Sequence, residues 1–130
     1  MNLLLDTHIA LWAVANNRRL SSSAKEIIAD PQNAVWVSAA SLWEIAVKHA
    51  IYSARKAMPV SAAEAHDKFS LAGYVVLAIG AAHALALEKL PLIHKDPFDR
   101  MLVAQAHAEG MTLLTSDATV AKYPGDVRKV

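Results

Sequence analysis

Short apolar runs alternating with helix-like stretches predict an α/β protein with a mostly parallel sheet covered on both faces. Two observations carry this. Runs near 2–5, 33–37, 74–77 and 111–114 have strand length and are too short for helices. Between and after them lie segments with helical spacing, helix caps or both. With 130 residues, 55% of them hydrophobic, the chain has the length and composition of a single domain, 1–130, with one packed core.

Asn2–Leu5 reads as a buried strand ended by Asp6, and 7–16 as a helix with Ile9, Trp12 and Ala13 at helical spacing. Ser21, Ser22 and Ser23 offer caps for a helix over 23–30, with Pro31 beyond it. Asn33–Val37 is the second strand. Ser38 or Ser41 then caps a helix to about residue 50, whose apolar positions are Leu42, Ile45, Ala46 and His49. That spacing predicts Glu44 and Lys48 on a different face. Trp43 and Val47 add to the apolar content and predict a largely buried helix. The segment 51–60 is looser and ends at Pro59. A helix over 61–72 precedes Gly73, Tyr74–Leu77 is the third strand, and 80–89 is the next helix. Pro91–Pro97 is extended. Asp99 opens an apolar helix to Glu109, with Gly110 as its C-cap. Met111–Leu114 is the fourth strand, Asp117 starts a short helix over 118–122, and 126–130 is an edge strand.

The chain has no cysteine, which excludes disulfides and thiolate metal sites. The apolar run before Asp6 is too short for a signal peptide, and no run reaches the ~18–20 apolar residues of a membrane span. A soluble, cytoplasmic protein with no membrane partner is expected. The formal charge is +1, from 13 Lys+Arg and 12 Asp+Glu.

The acids carry the chemical signal. Asp6, Glu44, Asp99 and Asp117 each fall at a strand-to-helix transition or a helix start. Each has an ordinary explanation. Asp6, Asp99 and Asp117 read equally as N-caps, and Glu44 with Lys48 reads as an i,i+4 surface pair worth ~0.2–0.5 kcal/mol. Their conjunction points elsewhere. Strands of a parallel sheet point the same way, so these transitions share one edge, where open α/β sheets bind ligands. Gathered carboxylates repel unless a cation joins them, and an all-oxygen donor set favours Mg²⁺ or Mn²⁺ over Zn²⁺. Asp96, three residues before Asp99, is a possible fifth member. Lys48, Lys95 and Arg100 are candidate phosphate contacts, with Arg100 reading equally as a salt-bridge partner. Thr7, Thr115 and Ser116 are candidate supports for the acids. If five acids enter one pocket, seven remain elsewhere against 13 bases, a surface suited to a polyanion. The histidines at 8, 49, 66, 83, 94 and 107 form no zinc pattern, and the Trp and Tyr residues read as core. No Walker loop, GxGxxG or GxSxG is present.

Four segments in order, Leu4–His8, Ser41–Lys48, Asp96–Leu102 and Leu114–Asp117, resemble a PIN domain, most closely the VapC-type toxins of toxin–antitoxin pairs. The resemblance spans essentially the whole chain. It implies a three-layer α/β/α sandwich and a Mg²⁺- or Mn²⁺-dependent endoribonuclease with Asp6, Glu44, Asp99 and Asp117 as its metal-binding catalytic acids. It further implies an RNA substrate, a homodimer, and a VapB-type antitoxin through which DNA is contacted only indirectly. A receiver-like domain is the first rival. It needs a phosphoacceptor Asp ending a central strand and a Lys ending a late one, requirements that neither Tyr74–Leu77 nor the Leu114 strand meets. A non-catalytic module using the acids for metal-dependent docking is the second.

Overall fold

The computed structural model describes residues 1–52, 58 and 60–130. Most of the segment expected to be loose, including Pro59, lies outside the described residues. The described elements run β1 (Asn2–Leu5), α1 (Thr7–Val14), α2 (Ser22–Ala29), β2 (Ala34–Ser38), α3 (Ala39–Tyr52), α4 (Ala62–Leu71), β3 (Val75–Leu77), α5 (Ala81–Glu88), α6 (Pro97–Glu109), β4 (Thr112–Thr115), a 3₁₀ turn (Val120–Lys122) and β5 (Val127–Lys129). The sheet order is β3-β2-β1-β4-β5, and every pairing is parallel. The expected mostly parallel sheet is thus parallel throughout its described strands.

β1 sits at the centre because its three leucines can be buried on both faces. Leu3 and Leu5 join one core with Ile9 and Ala10 of α1, Ala24 of α2, Ile45 of α3 and Phe69 of α4. Leu4 joins the other with Leu102, Val103 and Ala106 of α6, and Tyr123. Successive strand side chains alternate between faces, so one short apolar run seeds both helical layers. The result is a three-layer α/β/α sandwich.

Local signals set the helix starts. Ser21 accepts the Ala24 amide, and Ser61 with Glu64 forms a full capping box. α3 follows β2 directly, and Ser38 Oγ accepts the Ala40 amide at 2.9 Å. α6 begins two residues earlier than expected. Asp96 is its cap, Pro97 occupies the first turn, and Asp99 stands inside the helix rather than opening it. The expected C-cap is found, with Gly110 at φ 66°. The helix expected over 118–122 is reduced to the 3₁₀ turn.

Two burial expectations fail. Trp43 is 55% exposed and meets Phe98 edge-on, with ring centroids 4.8 Å apart. Glu44, whose ordinary reading is an i,i+4 surface pair with Lys48, is only 3% exposed. α3 lies at the sheet edge, so its inward surface includes the acid as well as Ile45.

Candidate metal centre

β1, β2 and β4 run in the same direction, so Asp6, the start of α3 and Asp117 lie beyond one edge of the sheet. β1 is flanked by β2 on one side and β4 on the other, the switch point where parallel sheets open a crevice. A cleft of about 380 Å³ occupies this place. Asp6, Glu44, Asp96, Asp99 and Asp117 line it, with Lys48, His8, His94 and Ser116.

Each acid is held by its own partners. Asp6 Oδ1 accepts the Ile9 amide at 2.9 Å, and Oδ2 accepts the Thr115 hydroxyl at 2.6 Å. The capping role and the place in the cleft are therefore both realised. Burial pushes the Asp6 carboxyl above its ordinary value, and these hydrogen bonds pull it part of the way back. Glu44 Oε1 accepts the Thr7 hydroxyl at 2.7 Å, and Thr7 Oγ1 also lies 2.9 Å from Ser41 Oγ. Lys48 Nζ donates to Glu44 Oε2 at 2.5 Å. Burial opposes the charge on Lys48, but Glu44, Asp96 and Asp99 outweigh it and raise its pKa.

Asp99 is also strongly perturbed. Burial, then the charges of Asp96, Glu44 and Asp6, push its carboxyl up to about 7. Asp117 goes the other way. Burial raises it, but the amides of Thr119 and Val120 and the His94 ring together outweigh this and leave it below its ordinary value. Asp96 uses Oδ1 to accept the amides of Phe98 and Asp99 at 2.8 and 3.3 Å.

The expected supports are placed as follows. Thr7 and Thr115 hold Glu44 and Asp6, and Ser116 lines the cleft. Lys48 stands at the acids, whereas Lys95 is exposed and outside the lining. Arg100 is also outside it. Its guanidinium donates to the Pro91 and Leu87 carbonyls and to the Tyr123 hydroxyl, tying the 91–96 loop to the body. Sequence reasoning gave His94 no part. Its Nε2 lies 3.2 Å from Asp99 Oδ2 and 3.4 Å from Asp117 Oδ2. The available signal was its place two residues before the capping Asp96.

A model of the PIN domain matches residues 3–126. The chain belongs to the PIN domain family. No match is found among curated proteins. Among solved structures, this PIN domain resembles VapBC2 from Rickettsia felis bound to a promoter DNA fragment, with a TM-score of 0.71 at 17% identity, over 99% of this chain and 98% of that one. It also resembles a toxin–antitoxin complex from Klebsiella pneumoniae, with a TM-score of 0.63 at 22% identity, over 98% and 96%. A third is DNA-bound VapBC from Salmonella typhimurium, with a TM-score of 0.66 at 15% identity, over 99% and 98%. At these identities the likeness is one of fold.

The cleft of this PIN domain suits a hard cation. Its donors are mainly carboxylate oxygens, and one donor atom each from His94, Asp99 and Asp117 lies within 4.8 Å of the other two. The raised Asp99 carboxyl is consistent with this: burial first, and then the converging charges of Asp96, Glu44 and Asp6, disfavour its ionised form.

Proposed function

We propose that this PIN domain is a Mg²⁺- or Mn²⁺-dependent endoribonuclease and the toxin of a toxin–antitoxin pair. The observation that carries the catalytic reading is the convergence of Asp6, Glu44, Asp99 and Asp117 on one cleft, with the Asp99 carboxyl raised to about 7. Asp6, Asp99 and Asp117 would hold the cation, with Glu44 as a further ligand or as the group that orients water. The cation, when bound, supplies a lowered pKa for water and stabilises charge on the phosphate. The chain's own residues prepare for this. Thr115 and the Ile9 amide fix the two oxygens of Asp6, while Thr7 and Lys48 fix those of Glu44. Lys48 also keeps a cation beside the acids, where the scissile phosphate would lie. A narrow cleft favours single-stranded or looped RNA, whose backbone can enter it.

The toxin reading rests on likeness in fold to VapBC and toxin–antitoxin complexes over nearly the full length of both chains. A cleft on α1 and α4, lined by Leu11, Trp12, Val14, Val60 and Lys68, shares His8 with the acidic one, so a bound antitoxin segment would lie beside the acids. The deciding assay incubates the purified chain with single-stranded RNA and Mg²⁺, with and without EDTA. Cleavage lost with EDTA, at unchanged circular dichroism, is expected. Full activity in both Asp6→Asn and Asp99→Asn would overturn the reading.

A further inference from the structure

His94 stands at the junction of two acids that come from different parts of the fold. Asp99 lies in the first turn of α6, and Asp117 follows β4. Both present an Oδ2 to the same ring nitrogen, at 3.2 and 3.4 Å. The three groups invite a reading as a metal-binding triad. The other ring nitrogen argues against it. The Asp96 amide points at His94 Nδ1 at 3.2 Å. An amide only donates, so Nδ1 accepts and the ring proton is on Nε2. A histidine that ligates a metal through Nε2 needs that lone pair free and normally donates its other N–H to a neighbour. His94 has the opposite arrangement. Its Nε2–H donates to Asp117 Oδ2 and lies close beside Asp99 Oδ2.

The ring is also firmly seated. The His94 amide donates to the Tyr123 hydroxyl at 2.8 Å, and Arg100 donates to the same hydroxyl at 3.0 Å. Arg100 further holds the Pro91 and Leu87 carbonyls. The loop carrying His94 is thus pinned to α5, α6 and the segment after β4, the surroundings of both acids.

We propose that His94 is a positioning residue of the metal centre, a hydrogen-bond donor between Asp99 and Asp117 that fixes their separation and leaves the cation an all-oxygen shell. This rests on the metal-site reading above. In this role one N–H is shared between an oxygen of each acid, while the amides of Thr119 and Val120 hold the other oxygen of Asp117, so each carboxylate keeps a fixed orientation towards the cation. It also supplies a partial positive charge where two carboxylates from independent elements would otherwise spread apart. An imidazole ligand would instead tilt the site towards softer ions.

Mn²⁺ serves as the probe, bound to the full chain and followed by electron paramagnetic resonance. Wild-type protein is expected to bind Mn²⁺ with no strong ¹⁴N coupling from a directly bound imidazole in electron spin echo modulation. His94→Ala should bind Mn²⁺ about 10–100-fold more weakly, the usual range for losing an outer partner of a metal ligand. His94→Gln, whose amide keeps a donor of similar reach, should recover most of that loss. A strong directly bound ¹⁴N signal that His94→Ala abolishes would overturn the proposal, as would unchanged Mn²⁺ affinity in a folded His94→Ala protein. Asp99→Asn separates the two readings. If it abolishes binding while His94→Ala leaves it intact, only the role of His94 fails. If wild-type protein binds no Mn²⁺, the metal site itself fails and takes the role with it.

Discussion

Two histidines in this molecule face carboxylates in nearly the same way, with opposite results. His83 of α5 accepts the Gly80 amide at Nδ1, at 3.0 Å, and turns Nε2 towards Glu109 of α6 at 2.8 Å. His94 accepts the Asp96 amide at Nδ1 and turns Nε2 towards Asp99 and Asp117. At His83 one donor meets one acid, whose own side chain is 43% exposed to water. That network closes and locks α5 to α6. At His94 one donor faces two acids, with three more lining the same cleft. That network is left with excess negative charge. The same histidine–acid contact thus closes one network and leaves the other charged, according to how many acids surround it.

The largest effect that sharpens this contrast is at Asp99. Asp99→Asn should reduce RNA cleavage in Mg²⁺ by more than the ~10–100-fold typical of losing an outer partner of a metal ligand. The same change should raise the melting temperature of the metal-free protein at pH 8, because it removes a crowded negative charge. Calorimetry in EDTA measures this, and a fall in melting temperature would break the contrast. His83→Ala should do the reverse. It leaves the Gly80 amide and Glu109 without a partner and opens a void between α5 and α6, costing about 2–3 kcal/mol in urea unfolding. Its Mg²⁺ affinity, by titration calorimetry, should equal that of the wild type.

A pH series gives the next largest effect. The Asp99 carboxyl ionises near 7 in the folded protein against an ordinary 3.8. Between these values the folded state keeps a proton that the unfolded chain has released. The contribution of Asp99 to stability is therefore complete below 3.8 and is lost as pH rises through 7. Metal-free melting temperatures should fall more steeply over that window in wild type than in Asp99→Asn. Saturating Mg²⁺ should flatten the wild-type curve, since cation binding displaces the proton. Thr115→Val is smaller. It deprives buried Asp6 of its hydroxyl donor and should cost about 1–2 kcal/mol, with Asp6 moving further upward in a carboxyl ¹³C titration. The smallest change is at Lys95, which is exposed and outside the cleft. Lys95→Ala should leave the unfolding free energy within about 0.5 kcal/mol of wild type in urea and weaken RNA binding only at low salt.

Much of this was legible because the chain uses local signals consistently. The leucine run of β1, the serine cap of α2 and the glycine after α6 each act within a few residues, so sequence places them well. Asp6, Glu44 and Asp117 were legible by a different route, as acids placed where parallel strands end. Asp99 was found as an acid but misplaced as a cap, because Asp96 with Pro97 makes the better helix start. Trp43 was misread, and the surface-pair reading of Glu44 failed, because helical spacing gives the angle of a face but not what lies opposite it. Arg100 and His94 depend on Tyr123, more than twenty residues further on, and nothing local reports that contact.

The strand order has a consequence in time. β1 is made before the other described strands, yet its second neighbour, β4, follows only after all six described helices. Until then Asp6 is only a helix cap at the open edge of a sheet, with neither Thr115 to hold it nor Asp117 across from it. Contacts between such distant segments form late. A partly made copy that stops short of β4 therefore carries no assembled acidic cleft.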